Sequence, residues 1–238
     1  MIGTQKQGDD DAAAIKDGEI SDHDRWGRFP HAALRGVAWR LTNLSAAAWF
    51  LLLAAPMGAF LVATLPPFQG LDESYHFYRA YTISTGSVLV STRSGRSGAE
   101  VNGCVVAFVN YHFFEAEQPT RFHLHDAITQ PPCKPEASYF IPFEDTAIYS
   151  PVPYLPQIVA LTIGRALHLP IPILFFAGRA AALLTFLGVG YLALRVTPSG
   201  HSVILLVATM PMTLLLAATY SADTTTISLA LLTVAAVL

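Results

Sequence analysis

Acidic side chains all but vanish from the last third of this chain. After Asp145 the only aspartate or glutamate is Asp223, lysine is absent, and the arginines thin to Arg165, Arg179 and Arg195. Charged residues make up 13% of the 238 and hydrophobic residues 53%, too little polar surface to cover a soluble domain. Cysteine is limited to Cys104 and Cys133. Also missing are a phosphate-cradling glycine loop, a Ser-His-Asp nucleophile arrangement and a zinc-protease signature, which disfavours a nucleotide-driven motor. A net charge of -3 gives no encouragement to nucleic-acid binding.

What the chain does have is long apolar runs around one large polar loop. An apolar run of about 20 residues lets a helix cross roughly 30 Å of hydrocarbon. Leu44 to Leu65 meets that length and stops at Pro66-Pro67. Pro151 to Gly164 offers only 14 uncharged residues, which suits an interfacial or re-entrant helix better than a span. Ile171–Arg195 is long enough despite Arg179, 202–222 is uncharged, and 224–238 begins a further helix that rises only about 22 Å. The expectation is an all-α polytopic membrane protein of about four transmembrane helices, the last incomplete. Its first loop, 66–170, is large and extracytoplasmic, with interfacial helices at 72–84 and 153–168 and short strands.

Residues 1–43 read as a largely disordered cytoplasmic tail, acidic at first and then carrying Arg25, Arg28, Arg35 and Arg40 ahead of the first apolar run. With the Pro151 segment outside, Arg195 joins that tail on the cytoplasmic side and Asp223 shares the outer face with Asp72. If the segment spans instead, the two acids fall on opposite faces.

The loop opens with LDESYHFYRAY, which as a helix sets Asp72, His76 and Arg79 on one stripe. Asp72 has two readings, a helix cap paired with Arg79 or a general base at the membrane boundary. Asp223, preceded by Ser221, is likewise either a cap or a functional acid between apolar helices. Arg179 needs a carboxylate, a phosphate or the headgroup layer. Gly86 to Gly103 reads as flexible, and Val101 to Phe114 as a strand. A Cys104–Cys133 disulfide is allowed in an outer loop. His123, His125 and Asp126 form either a metal site or the wet face of a strand.

Four strings, PPFQGLDESYHFYRAYTISTG, YSPVPYLPQIVALTIGRAL, FAGRAAALLTFLGVGYLAL and MPMTLLLAATYSADTTTISLALL, together resemble a bacterial integral membrane family known as a domain of unknown function, DUF 2142. The resemblance runs from about Leu44 to the C-terminus. The family's Pro-Asp-Glu with a following His appears as Asp72, Glu73 and His76, with Leu71 in place of the proline. Family members are longer, so the chain looks like an N-terminal part. The layout is also similar to the C-type glycosyltransferase (GT-C) fold, whose members use lipid-phosphate sugars.

That likeness implies Asp72 or Glu73 as the catalytic acid of the first loop, with His76, Arg79, Arg179 and Asp223 as substrate-binding residues. It implies a polyprenyl-phosphate sugar donor, a glycan or polymer acceptor and membrane lipids as partners, at the outer face of a bacterial plasma membrane. It fixes no cofactor and leaves the metal requirement open, a divalent cation being compatible. The competing expectations are a non-catalytic membrane subunit or assembly partner and, disfavoured by the uncharged spans, a lipid or polymer transporter.

Overall fold

A computed structural model describes residues 44–116 and 127–238. The first described helix, α1 (Ala46–Thr64), starts where the Ser45 side chain accepts from the Ala48 backbone N–H at 3.2 Å. Its buried stripe is Ala47, Phe50, Ala54 and Gly58, while leucines 51 to 53 and Phe60 stay exposed, so it is apolar all round. Such a helix suits lipid on one face and a packed partner on the other.

The partner is α6 (Ile171–Val196), whose 26 residues rise roughly 39 Å. Phe50 meets Phe186 edge to face at 5.6 Å between centroids. Among the described residues α1 and α6 are the two helices long and apolar enough to cross a membrane.

The polar loop between them begins with α2 (Glu73–Ser84) and a three-stranded antiparallel sheet in the order β1 (Ser91–Arg93), β2 (Arg96–Asn102), β3 (Ser138–Pro142). Ser94 and Gly95, both at positive φ, make the two-residue hairpin turn that suits strand twist. Then come α3 (Gly103–Ala116), the single turn α4 (Glu144–Ala147), a 3-10 turn (Val152–Tyr154) and α5 (Leu155–Ala166). At 12 residues α5 rises only about 18 Å, short of a full crossing. It packs on α2 and α6, and Arg165 near its end donates to Ser84 O at 2.6 Å.

Three expectations need correction. Gly86 to Gly103 is not a flexible stretch, since it holds β1, β2 and the hairpin turn between them. Val101 to Phe114 is not a strand, because β2 ends at Asn102 and α3 takes over. The Asn102 side chain accepts from the Cys104 N–H at 2.9 Å, and Val105, Phe108, Val109 and His112 are buried at helical spacing. A short apolar run is ambiguous between the two periods, and packing decided it. Nor is 202–222 one helix. It divides into α7 (His201–Ala208) and α8 (Pro211–Ala217), because Pro211 lacks the N–H that would continue α7 and Met210 is extended at ψ 139. After a turn over 218–222 the chain enters α9 (Asp223–Val237), which packs on α6.

The Cys104–Cys133 disulfide is formed and ties the start of α3 to the irregular segment that leads into β3. The tail 1–43 and the histidine cluster at His123, His125 and Asp126 lie outside the described residues.

Gly178 and Gly188, ten residues apart on α6, give a matched test of this packing. A Cβ at Gly178 runs into the Tyr220 hydroxyl, whereas one at Gly188 meets nothing within 4 Å. Gly178→Val should lower stability by about 1–3 kcal/mol through overpacking. Gly188→Ala should be neutral or stabilising by about 0.5–1 kcal/mol. Thermal unfolding in detergent reads both, and equal midpoints for the two variants would contradict the placement of Tyr220.

Candidate functional site

The centre of the structure is a charge pair with no access to solvent. Arg179, in the third turn of α6, reaches Glu73 at the first turn of α2: Nε donates to Oε1 at 2.8 Å and Nη2 to Oε2 at 2.7 Å, both side chains being 0% exposed. Arg179 Nη1 also donates to Leu65 O at 2.7 Å and Nη2 to Pro66 O at 3.0 Å. α1 ends there and the two prolines prevent another helical turn, which leaves Leu65 O without a helical partner and Pro66 O with only a long turn bond from the Gln69 N–H at 3.4 Å. Glu73 in turn accepts from the Tyr220 N–H at 3.0 Å and the Gly70 N–H at 3.2 Å. One pair therefore joins the exit of α1, the start of α2, the third turn of α6 and the turn before α9.

Aromatic rings surround it. The guanidinium lies over Phe175 at 4.6 Å, Phe175 stacks on Tyr220 at 5.3 Å, and Phe68, Phe77 and Phe108 complete the wall. The weakly hydrated guanidinium face tolerates such neighbours better than an ammonium would.

Next to this buried pair is an open rim. Asp72 precedes α2 in the left-handed region at φ 51, exposed, and its side chain makes no capping hydrogen bond. Aspartate tolerates this conformation better than most residues. Asp223 opens α9, also exposed; its backbone N–H is taken by the Ser221 hydroxyl at 3.0 Å. His76, one turn after Asp72 in α2, is buried, and its Nδ1 hydrogen-bonds with the Tyr154 hydroxyl at 2.7 Å.

Burial holds the imidazole below its ordinary 6.5, opposed by the negative charges of Asp223, Asp72 and Glu73. Burial likewise raises the Tyr154 hydroxyl, with Arg79 and Asp223 among the charges acting on it. Carboxylates from opposite ends of the described chain thus gather about one His–Tyr pair.

The expected residues divide into three groups. Asp72, His76 and Asp223 share the rim. Glu73 and Arg179 form the buried pair. Arg79 donates from Nη1 to Val88 O at 3.0 Å and from Nη2 to Tyr149 O at 3.1 Å, with its buried Nε lacking an acceptor. Neither acid has the capping hydrogen bond offered above as the plainer reading.

Tyr154, Tyr220 and Gln157 went unrecognised in the sequence. Gln157 is wholly buried in α5 and donates to Ser221 O at 3.4 Å; as the single amide in PVPYLPQIVALTIG it was a visible signal. Among the described residues no group of three or more His, Cys, Asp or Glu is placed to hold a metal ion. A concavity of about 530 Å³ opens elsewhere, between α3 and β3, lined by Asn110, Lys134 and Tyr139, and contains none of the expected site residues.

The described residues form a mostly helical protein in which two apolar helices are long enough to cross a membrane and a folded polar loop between them returns an acid to Arg179 of the second. The chain belongs to the family described as predicted membrane protein (DUF2142), whose model matches residues 45–238. No curated protein and no solved structure matches it.

Arg179→Met leaves a carboxylate buried without its cation and should cost about 3–5 kcal/mol. Adding Glu73→Gln removes the stranded charge while keeping an acceptor for Tyr220, so the double variant should be more stable than Arg179→Met alone. Denaturant titrations of the four chains in the cycle decide it; strictly additive losses would mean that the two side chains do not interact.

His76 supplies a pH dependence. Above pH 6.5 the ring is neutral in folded and unfolded chains and contributes nothing. As pH falls below 6.5 the unfolded chain takes up the proton first, so folding stability drops until the lower folded pKa is passed. The melting temperature should decline across that acid window, and less steeply in His76→Gln. Identical slopes would exclude the ring as the source.

Proposed function

We propose that the chain carries the acidic rim of a glycosyl transfer site that uses a polyprenyl-phosphate sugar at the outer face of a bacterial plasma membrane. The orientation rests on the arginines of the N-terminal tail and on Arg195, which favour the cytoplasmic side. The observation that carries the reading is that Glu73 bonds both the turn before α2 and the turn before α9, so that Asp72 and Asp223, remote in sequence, stand exposed at two helix starts held to one anchor. A substrate entering between the starts of α2 and α9 would meet both.

In this reading Asp72 is the general base. The acceptor hydroxyl oxygen bonds to the anomeric carbon, its proton passes to Asp72, and the bond from that carbon to the lipid phosphate breaks with its electrons leaving on the phosphate. The base must come within hydrogen-bond reach of the hydroxyl, which an exposed carboxylate free of capping bonds permits. Asp223 and the His76–Tyr154 pair orient the sugar hydroxyls.

Arg179 is already neutralised by Glu73, whereas Arg79 has a buried Nε without an acceptor and no carboxylate paired with it among the described residues. Arg79 is therefore the better cation for the departing phosphate, where a fixed guanidinium in a dry setting acts strongly. The donor already holds an activated sugar, so no nucleotide is needed.

Membrane vesicles from cells expressing the full-length protein, supplied with labelled polyprenyl-phosphate sugars, should incorporate label into glycan. Asp72→Asn should reduce that rate by about 10²–10⁴-fold, the range of a lost general base. Wild-type rates in Asp72→Asn would remove the residue from the chemistry.

A further inference from the structure

Glu73 stands beside Asp72 in the sequence and resembles it as a candidate base, but its surroundings give it other work. An ionised carboxylate offers about four lone-pair directions. The donors on Glu73 are Arg179 Nε, Arg179 Nη2, the Gly70 N–H and the Tyr220 N–H, and its side chain is 0% exposed. No direction remains for a substrate proton.

The same bonds fix what flanks Asp72. Gly70 N–H donates to Glu73 Oε2 at 3.2 Å while Gly70 O accepts from the Glu73 N–H at 3.4 Å, closing the turn reciprocally. A side chain at Gly70 would press on Thr219, so this turn also lies directly against the 218–222 turn. The Tyr220 N–H on Glu73 then ties down the segment that leads, three residues on, to Asp223.

We infer that Glu73, through its fork with Arg179, is a positioning residue that sets the separation of Asp72 from Asp223. The inference rests on the proposed transfer reaction for its purpose, though not for its geometry. Asp72 is attached to one end of the clamp and Asp223 to the other. Arginine is required on the facing helix because a planar fork meets both carboxylate oxygens and still reaches the carbonyls at the exit of α1. A lysine keeps the charge and loses the fork.

The test is a distance measured without any turnover. Tyr75 and Thr226 are exposed and lie in the first turns of α2 and α9, just beyond the two acids. The native cysteines are joined to each other, so Tyr75→Cys and Thr226→Cys accept spin labels selectively. In full-length protein in nanodiscs the labelled parent should give one narrow distance. Glu73→Gln should retain its helix content by circular dichroism and lose that narrow distance, and Glu73→Asp should restore it in part. A parent-like distance in Glu73→Gln overturns the proposal.

Where Glu73→Gln does not fold, Arg179→Lys decides the question, since it leaves the charge in place: broadening supports the clamp and an unchanged distance overturns it. Absence of glycan transfer by a parent with the narrow distance would sink the transfer reading alone and leave the clamp standing.

Discussion

Glu73 and Arg179 are two full charges held where no water reaches them, and the rest of the structure is arranged around making that tolerable. Removing a carboxylate and a guanidinium from water costs several kcal/mol each even after relaxation. Coulomb attraction alone does not return that sum. What offsets it is the density of additional bonds, two backbone N–H groups on the acid and two backbone carbonyls on the base. Each of those backbone groups belongs to a chain segment that has left its helix or not yet entered one, and apart from a long turn bond from the Gln69 N–H to Pro66 O none has a backbone partner. The pair and the broken helix ends satisfy one another. This explains why Pro66-Pro67, which ends α1, and Pro211, which interrupts the run before α9, are compatible with a tightly packed interior.

The aromatic wall follows from the same constraint. A guanidinium deep in an apolar bundle leaves two flat faces that cannot be hydrated, and Phe175 and Phe176 cover it at 4.6 and 5.7 Å. Phe175 then carries Tyr220, whose backbone N–H is a ligand of Glu73. Electrostatics and packing close into a ring here: moving the tyrosine ring moves the donor, and moving the donor loosens the pair. The polar loop, instead of hanging free beyond the first helix, is thereby built into the core between α1 and α6. Arg165 on Ser84 O and Thr225 on Pro153 O fasten the outer parts of the same loop to α2 and α9.

Much of this was legible in the residues and some was not, for physical reasons. An arginine inside an apolar run has few stable fates, so Arg179 pointed to a carboxylate, a phosphate or the headgroup layer, and the fold supplies the first. Its partner was not readable, because two adjacent acids and one distant one were all admissible and only the fold chooses among them. The ends of α1 and of α6 followed from apolar length and from the prolines. The run after β2 did not, since Val-Val-Ala-Phe-Val satisfies either period until something packs on it. Pro211 was visible in a run treated as continuous. Membrane helices often accept proline, and whether one bends or stops at it depends on the residue before, here drawn into an extended conformation. Tyr154 follows Pro151 and Pro153, and nothing local reveals that its hydroxyl meets His76.

The division of roles between Asp72 and Glu73 is the last step that geometry supplies. Side chains one residue apart at a helix start point in different directions, and here the backbone exaggerates the difference by turning left-handed at Asp72 and right-handed from Glu73 onward. The longer side chain is sent inward, where its extra methylene reaches the guanidinium and the positive end of α2 favours its charge. The shorter one is sent outward to the rim beside His76. Exchanging the two would put a shorter acid before Arg179, able to keep only part of the fork, and a long, rotamer-rich one on the rim. Burial of one acid therefore defines the direction of the other, and a doublet that reads as redundant in the sequence acts as one anchor and one exposed group.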